Sequence, residues 1–217
     1  MDFKNQKLWT LELIRGLAAL AVVVCHFFLN FPEIGRSELR NAVANWGVTA
    51  VVVFFVLSGA VIRISIERSG FSFGKFMRKR IIRIVPLYFL AILLTLMIEP
   101  RPFLPEKLVG HLAFTATVQG WITPTYTSNP VLWSLSYEMG FYLIFALLQH
   151  FFRKADWVGW GLAACAGTSF FLLHDLAGPW EHLRTLFACY GVWLIGYESL
   201  RYQKKIRLPV SATVLAV

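Results

Sequence analysis

The chain reads as an all-α polytopic transmembrane helix bundle of about six complete spans plus a truncated seventh, and three observations lead there. Of its 217 residues, 57% are hydrophobic and only 15% are charged, against about 25% charged in an ordinary soluble domain. Its mean hydropathy is +0.60. Apolar stretches close to the ~20 residues that a helix needs to cross a bilayer recur along it, and the basic residues fall in the gaps between them.

The first span is expected over 11–29, the second over 46–64 and the third over 81–98. Lys4 and Lys7 ahead of the first give the look of a signal peptide. However, Glu12 and Arg15 interrupt its apolar run, and Phe27, Phe28 and Phe31 stand where small cleavage-site residues belong, so it reads as an uncleaved span. A weaker segment, 108–122, holds His111, Gln119 and several threonines, and a turn-rich stretch follows at 123–130. Further spans are expected over 131–151, 157–174 and 182–200, and a seventh starts near Leu208 and stops with the chain at Val217. No internal repeat or low-complexity linker divides the sequence, so residues 1–217 read as a single membrane domain, expected to be incomplete at its C-terminus.

The net charge of +9 follows topology rather than one polar face, which argues against a nucleic-acid partner. With a cytoplasmic N-terminus and 108–122 as a re-entrant or surface-lying helix, one side gathers most of the basic residues. It takes Lys4 and Lys7, the cluster Arg68, Lys75, Arg78, Lys79 and Arg80, then Arg153 and Lys154, and finally Arg201, Lys204, Lys205 and Arg207. The expected location is the cytoplasmic (inner) membrane, with the lipid bilayer as the first partner. Cys25, Cys165 and Cys189 lie within apolar runs at irregular spacing, which makes neither a disulfide framework nor a metal site.

Ionisable groups at membrane depth are costly and usually functional. In the first span Arg15 and His26 are eleven residues apart, near three full turns, so both project from nearly one face, ~16 Å apart along the axis. For His26, a functional imidazole and a histidine merely satisfied near a helix end stand level. Ser58 and Gly59 in the second span are small enough to let helices approach closely, and nothing nearby in sequence would activate Ser58 as a nucleophile. Arg80 and Arg83, at i and i+3, share a helix face and offer two planar donor forks suited to phosphate; a positive-inside anchor is the competing reading. Trp133 and Ser134 lead to Glu138, several residues into the fourth span. That carboxylate could support an imidazole base, or be a buried acid satisfied by an arginine.

Taken in order, these segments resemble the acyltransferase-3 family of polytopic membrane proteins. The matching pieces are Arg15 with His26, the Phe-Phe-Val-Leu-Ser-Gly run of 54–59, Arg80-Ile-Ile-Arg83 before Pro86, and Trp133-Ser134-Leu135 with Glu138, Phe141 and Tyr142. The chain departs from the family at Ala60, where an aromatic is common, and it ends before the family's later spans. The resemblance implies acyl transfer, most often of acetyl, from cytoplasmic acyl-CoA to a hydroxyl of an envelope carbohydrate or glycolipid, with no tightly bound cofactor. It also implies that His26 is the essential histidine. Reading and resemblance together place CoA phosphates on Arg15, Arg80 and Arg83. They make His26 the base or acyl carrier supported by Glu138, with Ser58, Gly59, Trp133 and Ser134 shaping the site. A transporter of an anionic metabolite would also use arginines and a membrane histidine, but would be expected to show repeated, broken helices in matching halves. A non-catalytic membrane subunit would leave the polar groups on the first helix unexplained.

Overall fold

The computed structural model describes residues 3–29, 38–99, 104–117, 123–126, 128–152, 158, 161–162, 164–165 and 179–205. Helices dominate: α1 (Phe3–Leu29), α2 (Glu38–Ser69), α3 (Phe73–Ile98), the short α4 (Pro105–Leu112), α5 (Leu132–Phe151) and α6 (Pro179–Lys205). Within the first three, Trp9–Leu29, Asn45–Ser69 and Phe73–Ile98 are long and apolar enough to cross a membrane. Their outward faces carry exposed Leu17, Leu20, Val23, Leu87 and Leu94, the surface that lipid covers and water would not tolerate. The expected fourth and sixth spans coincide with α5 and α6, which have the length to cross but carry more polar side chains. The expected span at 157–174 falls mostly outside the described residues, and the seventh entirely so.

Two details differ from the sequence expectation. α3 begins at Phe73 rather than 81, so Lys75, Arg78, Lys79 and Arg80 are helical too; lysine and arginine are good helix formers, and hydropathy sees only the apolar remainder. The all-α expectation gives way locally between α3 and α5. The eight-residue α4, about 12 Å long, is followed by β1 (Ala116–Thr117) paired in parallel with β2 (Thr123–Pro124). Pro105 in the first turn of α4 suits a helix start, because its missing N–H needs no partner there.

The chain divides into two compact units, Met1–Ser69 with Val192–Val217, and Gly70–Gly191. In the first, α1 lies along α2: the Cys25 thiol donates to the Val43 carbonyl at 2.9 Å, and a Cβ at Gly47 would meet Cys25 Sγ at 2.5 Å. The C-terminal half of α6 packs on α2 even more closely. A Cβ at Gly59 would land on the Trp193 carbonyl, and one at Gly196 on the Val56 carbonyl. Two glycines facing opposite backbones are what such an approach requires. The Trp193 indole N–H donates to Ser58 Oγ at 3.3 Å. Deeper into the same seam, Arg63 reaches Glu198 at 3.5 Å and lies 5.0 Å over the Tyr197 ring.

In the second unit α3, which packs on α5, buries a stripe at Phe76, Arg80, Ile84, Tyr88, Ile92 and Thr95, spaced by four residues and at its end by three, with one arginine inside it. Phe76 meets Tyr142 and Phe145 at 6.1 and 5.7 Å between ring centroids, and the Tyr88 hydroxyl lies 3.3 Å from Ser136 Oγ. Phe114, at φ 57°, stacks on Tyr88 at 4.5 Å.

Candidate functional site

His26 sits in the last turn of α1. Its Nδ1 lies 2.8 Å from the carbonyl of Val22, one turn back. A carbonyl can only accept, so Nδ1 carries the hydrogen and the lone pair of the neutral ring is at Nε2. The ring is half-buried, and the fixed tautomer gives it the form of a general base. Arg15, Ala18, Val22 and Cys25 form the buried stripe of the same helix, so the face that the spacing predicts is the face turned inward. The Arg15 guanidinium lies 5.0 Å over the Phe54 ring and 3.3 Å from the Glu12 carboxylate.

Ser58 and Gly59 are placed by packing: Ser58 is buried and accepts from Trp193, and Gly59 admits the backbone of α6. Both belong, with Arg15 and His26, to the first unit.

Arg80, Arg83, Trp133, Ser134 and Glu138 belong to the second unit. Arg80 and Arg83 are not presented alike. Arg80 is 6% exposed, with its guanidinium 5.4 Å over Phe76 and 5.5 Å over Tyr142; Arg83 is exposed. Three helical residues turn the chain by 300°, leaving ~60° between the two, enough to separate a packed side from an open one. Glu138 is buried and accepts a hydrogen bond from the Tyr142 hydroxyl at 2.5 Å. Arg80 interacts electrostatically with both Tyr142 and Glu138. The carboxylate is therefore held in a chain from guanidinium to phenol to Glu138. Trp133 packs edge-on to Tyr137 at 5.2 Å, and Ser134 Oγ donates to the Val131 carbonyl at 2.9 Å in the first turn of α5. At the amino end of α3, just before its basic segment, Phe71, Ser72, Phe73, Gly74 and His150 line a cleft of about 300 Å³.

Several groups escaped the sequence reading. Tyr142 stands in the motif named above, but its bond to Glu138, one helical turn before it, was not read. The Arg63–Glu198 pair spans 135 residues and leaves no local trace. A third cluster, Lys107, His111 and Tyr126, joins α4 to the turn after β2. Among the described residues no group of His, Cys, Asp and Glu has the arrangement of a metal site.

A family model described as "Acyltransferase domain", that of acyltransferase-3, matches residues 8–217. Acyltransferase MdmB of Streptomyces mycarofaciens is 35% identical over an alignment covering 87% of this chain and 53% of that protein. The chain thus spans about half the length of that relative. No solved structure matches significantly. With a fixed-tautomer histidine and a buried arginine on one helix, and a family match over nearly the whole sequence, the chain belongs to the acyltransferase-3 family.

Proposed function

We propose that the protein is a membrane-bound O-acyltransferase that moves an acyl group, acetyl in the simplest case, from cytoplasmic acyl-CoA to a hydroxyl of an envelope carbohydrate or glycolipid. The observation that carries this reading is the Nδ1–H bond of His26 to Val22, because it leaves Nε2 as a proton acceptor in a half-buried position. In the proposed step Nε2 takes the hydroxyl proton of the acceptor while that oxygen attacks the thioester carbonyl. The tetrahedral intermediate collapses, the C–S bond breaks, and the imidazolium returns the proton to the departing CoA thiolate. In a two-step variant Nε2 attacks the thioester carbonyl first and expels CoA as the thiolate; the hydroxyl oxygen then takes the acyl group from Nε2, which frees the imidazole, and the hydroxyl proton ends on the CoA thiolate. Glu138 is the proposed accompanying carboxylate.

The arginines contribute unequally to the proposed donor site. Arg83, an exposed residue, is the proposed contact for a CoA phosphate, and the cleft before α3 lies ahead of the basic segment. Arg15 and Arg80 are packed over aromatic rings, and would meet phosphate only by giving up part of that packing. The test is transfer of radiolabelled acetyl from acetyl-CoA to envelope glycans in membranes holding wild type or His26→Ala. A general base contributes about 10²–10⁴-fold in rate, so the variant should lose that much while inserting normally. Near-wild-type transfer by an inserted His26→Ala removes the reading. Uptake of an anionic metabolite without any transfer would replace it with the transporter.

A further inference from the structure

At the end of α3 opposite its basic segment, a set of buried polar groups has no part in the chemistry above. Lys75 to Arg83 occupy the first three turns of this 26-residue helix, and Glu99 follows its last, about 24–36 Å from them along the axis. There α4 carries His111, whose side chain is fully enclosed. Its Nδ1–H donates to the Lys107 carbonyl at 2.8 Å, so the Nε2 lone pair is the acceptor, and it has no hydrogen-bond partner among the described residues. The ring lies against Tyr126, 4.5 Å between centroids. The Tyr126 hydroxyl is likewise buried without a partner. On Tyr126 lies the Lys107 ammonium, 4.5 Å from the ring centroid.

The surrounding framework is closely built. Glu99 accepts from both the backbone and the hydroxyl of Ser128, at 3.0 and 2.6 Å. The Asn129 amide donates to Thr95 at 3.0 Å, and Thr115 and Thr123 bond at 2.9 Å. Gly110 leaves room for Thr123, since a Cβ there would run into that side chain. Against this background two buried atoms left open, on two rings packed against each other, call for an explanation. One is an acceptor, and the other is a phenol that both donates and accepts. A fully deprotonated anion has no hydrogen to give Nε2, and although the Lys107 ammonium is near, Glu99 sits close enough to influence Tyr126 electrostatically.

We propose that Lys107, His111 and Tyr126 form a subsite for a neutral, hydroxyl-bearing ligand, whose hydroxyl donates to His111 Nε2 and accepts from the Tyr126 hydroxyl. The inference rests on the proposed function only in identifying this ligand with a carbohydrate part of the acceptor.

The test uses the full protein in nanodiscs without acyl-CoA. Thermal stabilisation and calorimetric binding are measured with methyl glycosides of glucose, galactose, mannose and rhamnose, and with sodium phosphate as the anionic control. At least one glycoside should bind wild type. His111→Phe, which keeps a stacking ring but no acceptor, should weaken binding about tenfold, and His111→Gln, which returns an oxygen near the Nε2 position, should recover most of it. Tyr126→Phe should weaken binding similarly while leaving the unliganded protein as stable as wild type or more so, because it removes a group with no partner. That variant keeps the test open if His111→Phe does not fold. Binding of phosphate alone, no glycoside binding, glycoside binding unchanged in Tyr126→Phe, or a Tyr126→Phe protein destabilised without ligand each overturn the subsite. Because no donor is present, glycoside binding in a protein that transfers no acyl group would fault the proposed function and leave the subsite standing.

Discussion

Replacing Arg80 with methionine separates the two things that an arginine at this position can do. Its guanidinium lies over Phe76 and Tyr142 and interacts electrostatically with Glu138. Methionine keeps much of the stem's volume but removes the charge. Breaking a buried ion pair by deleting one partner costs about 3–5 kcal/mol, because the other charge stays buried. Arg80 and Glu138 are coupled electrostatically rather than as a close ion pair, and Glu138 still accepts from Tyr142 at 2.5 Å, which should hold Arg80→Met below that range, at about 1–3 kcal/mol. Adding Glu138→Gln removes the stranded charge, so the double variant should be more stable than the single one, with a coupling of about 1–3 kcal/mol. Tyr142→Phe keeps the ring beneath the guanidinium and removes only the hydroxyl, for an expected loss of about 1–3 kcal/mol. The measurement is reversible unfolding in mixed micelles, followed by tryptophan fluorescence, with the apparent KM for acyl-CoA read on the same preparations. If the cycle shows no coupling beyond ~0.5 kcal/mol, the three residues do not form one network. If Arg80→Met is as stable as wild type and raises the KM for acyl-CoA, Arg80 is a ligand group and the packing argument is wrong.

Gly59→Ala should lower stability by several kcal/mol, since its Cβ lands on backbone rather than a movable side chain, whereas Gly16→Ala, with nothing within 4 Å, should be neutral; equal effects in unfolding measurements would refute the close approach. Arg83→Ala should raise the apparent KM for acyl-CoA more than that for the acceptor, and Arg83→Lys should restore it only in part, because lysine lacks the bidentate fork; a raised KM for the acceptor alone would move Arg83 to the other substrate. Burial, with help from the Lys107 charge, lowers the His111 pKa, against the bond to the Lys107 carbonyl. The folded state therefore resists protonation of a ring packed on Tyr126, and the stability due to His111 is present above its unfolded pKa of ~6.5. That stability is lost as pH falls through 6.5 towards the lowered folded value. His111→Gln should remove this part of the acid destabilisation, and parallel pH–stability curves for the two proteins would contradict it.

The long apolar helices were legible because hydropathy is a property of composition, and α1, α2 and α3 occur where the apolar runs lie. Their starts were not. Hydropathy ends where Lys75 and Arg78 begin, but the helix continues through them to Ser72. Arg15 and His26 were legible for the same reason as the helices, since eleven residues close three turns whatever the tertiary structure. Arg80 and Arg83 show the limit of that argument. Helical spacing says that two side chains are neighbours, but only the position of α5 decides that one is packed under Tyr142 while the other is exposed. Arg63 with Glu198 depends entirely on chain path, and no periodicity announces it.

The two histidines carry this distinction into chemistry. His26 and His111 each sit in the last turn of a helix, and each gives its Nδ1–H to the carbonyl four residues back, at 2.8 Å in both cases. The bond is local, yet it needs a particular rotamer, so sequence alone could not fix the tautomer of either ring. Once fixed, both present Nε2 as an acceptor. Access then divides them. His26 is half-buried, which fits its proposed role, since a base that cycles its proton needs access for the hydroxyl and some solvation of the imidazolium. His111 is fully enclosed and beside the cation of Lys107. Both conditions oppose its taking a proton, so it can accept a hydrogen bond but is poorly placed to keep the proton. The same side chain in the same local geometry thus fits the proposed proton transfer in one unit and the proposed recognition in the other, and burial and neighbouring charge set the difference.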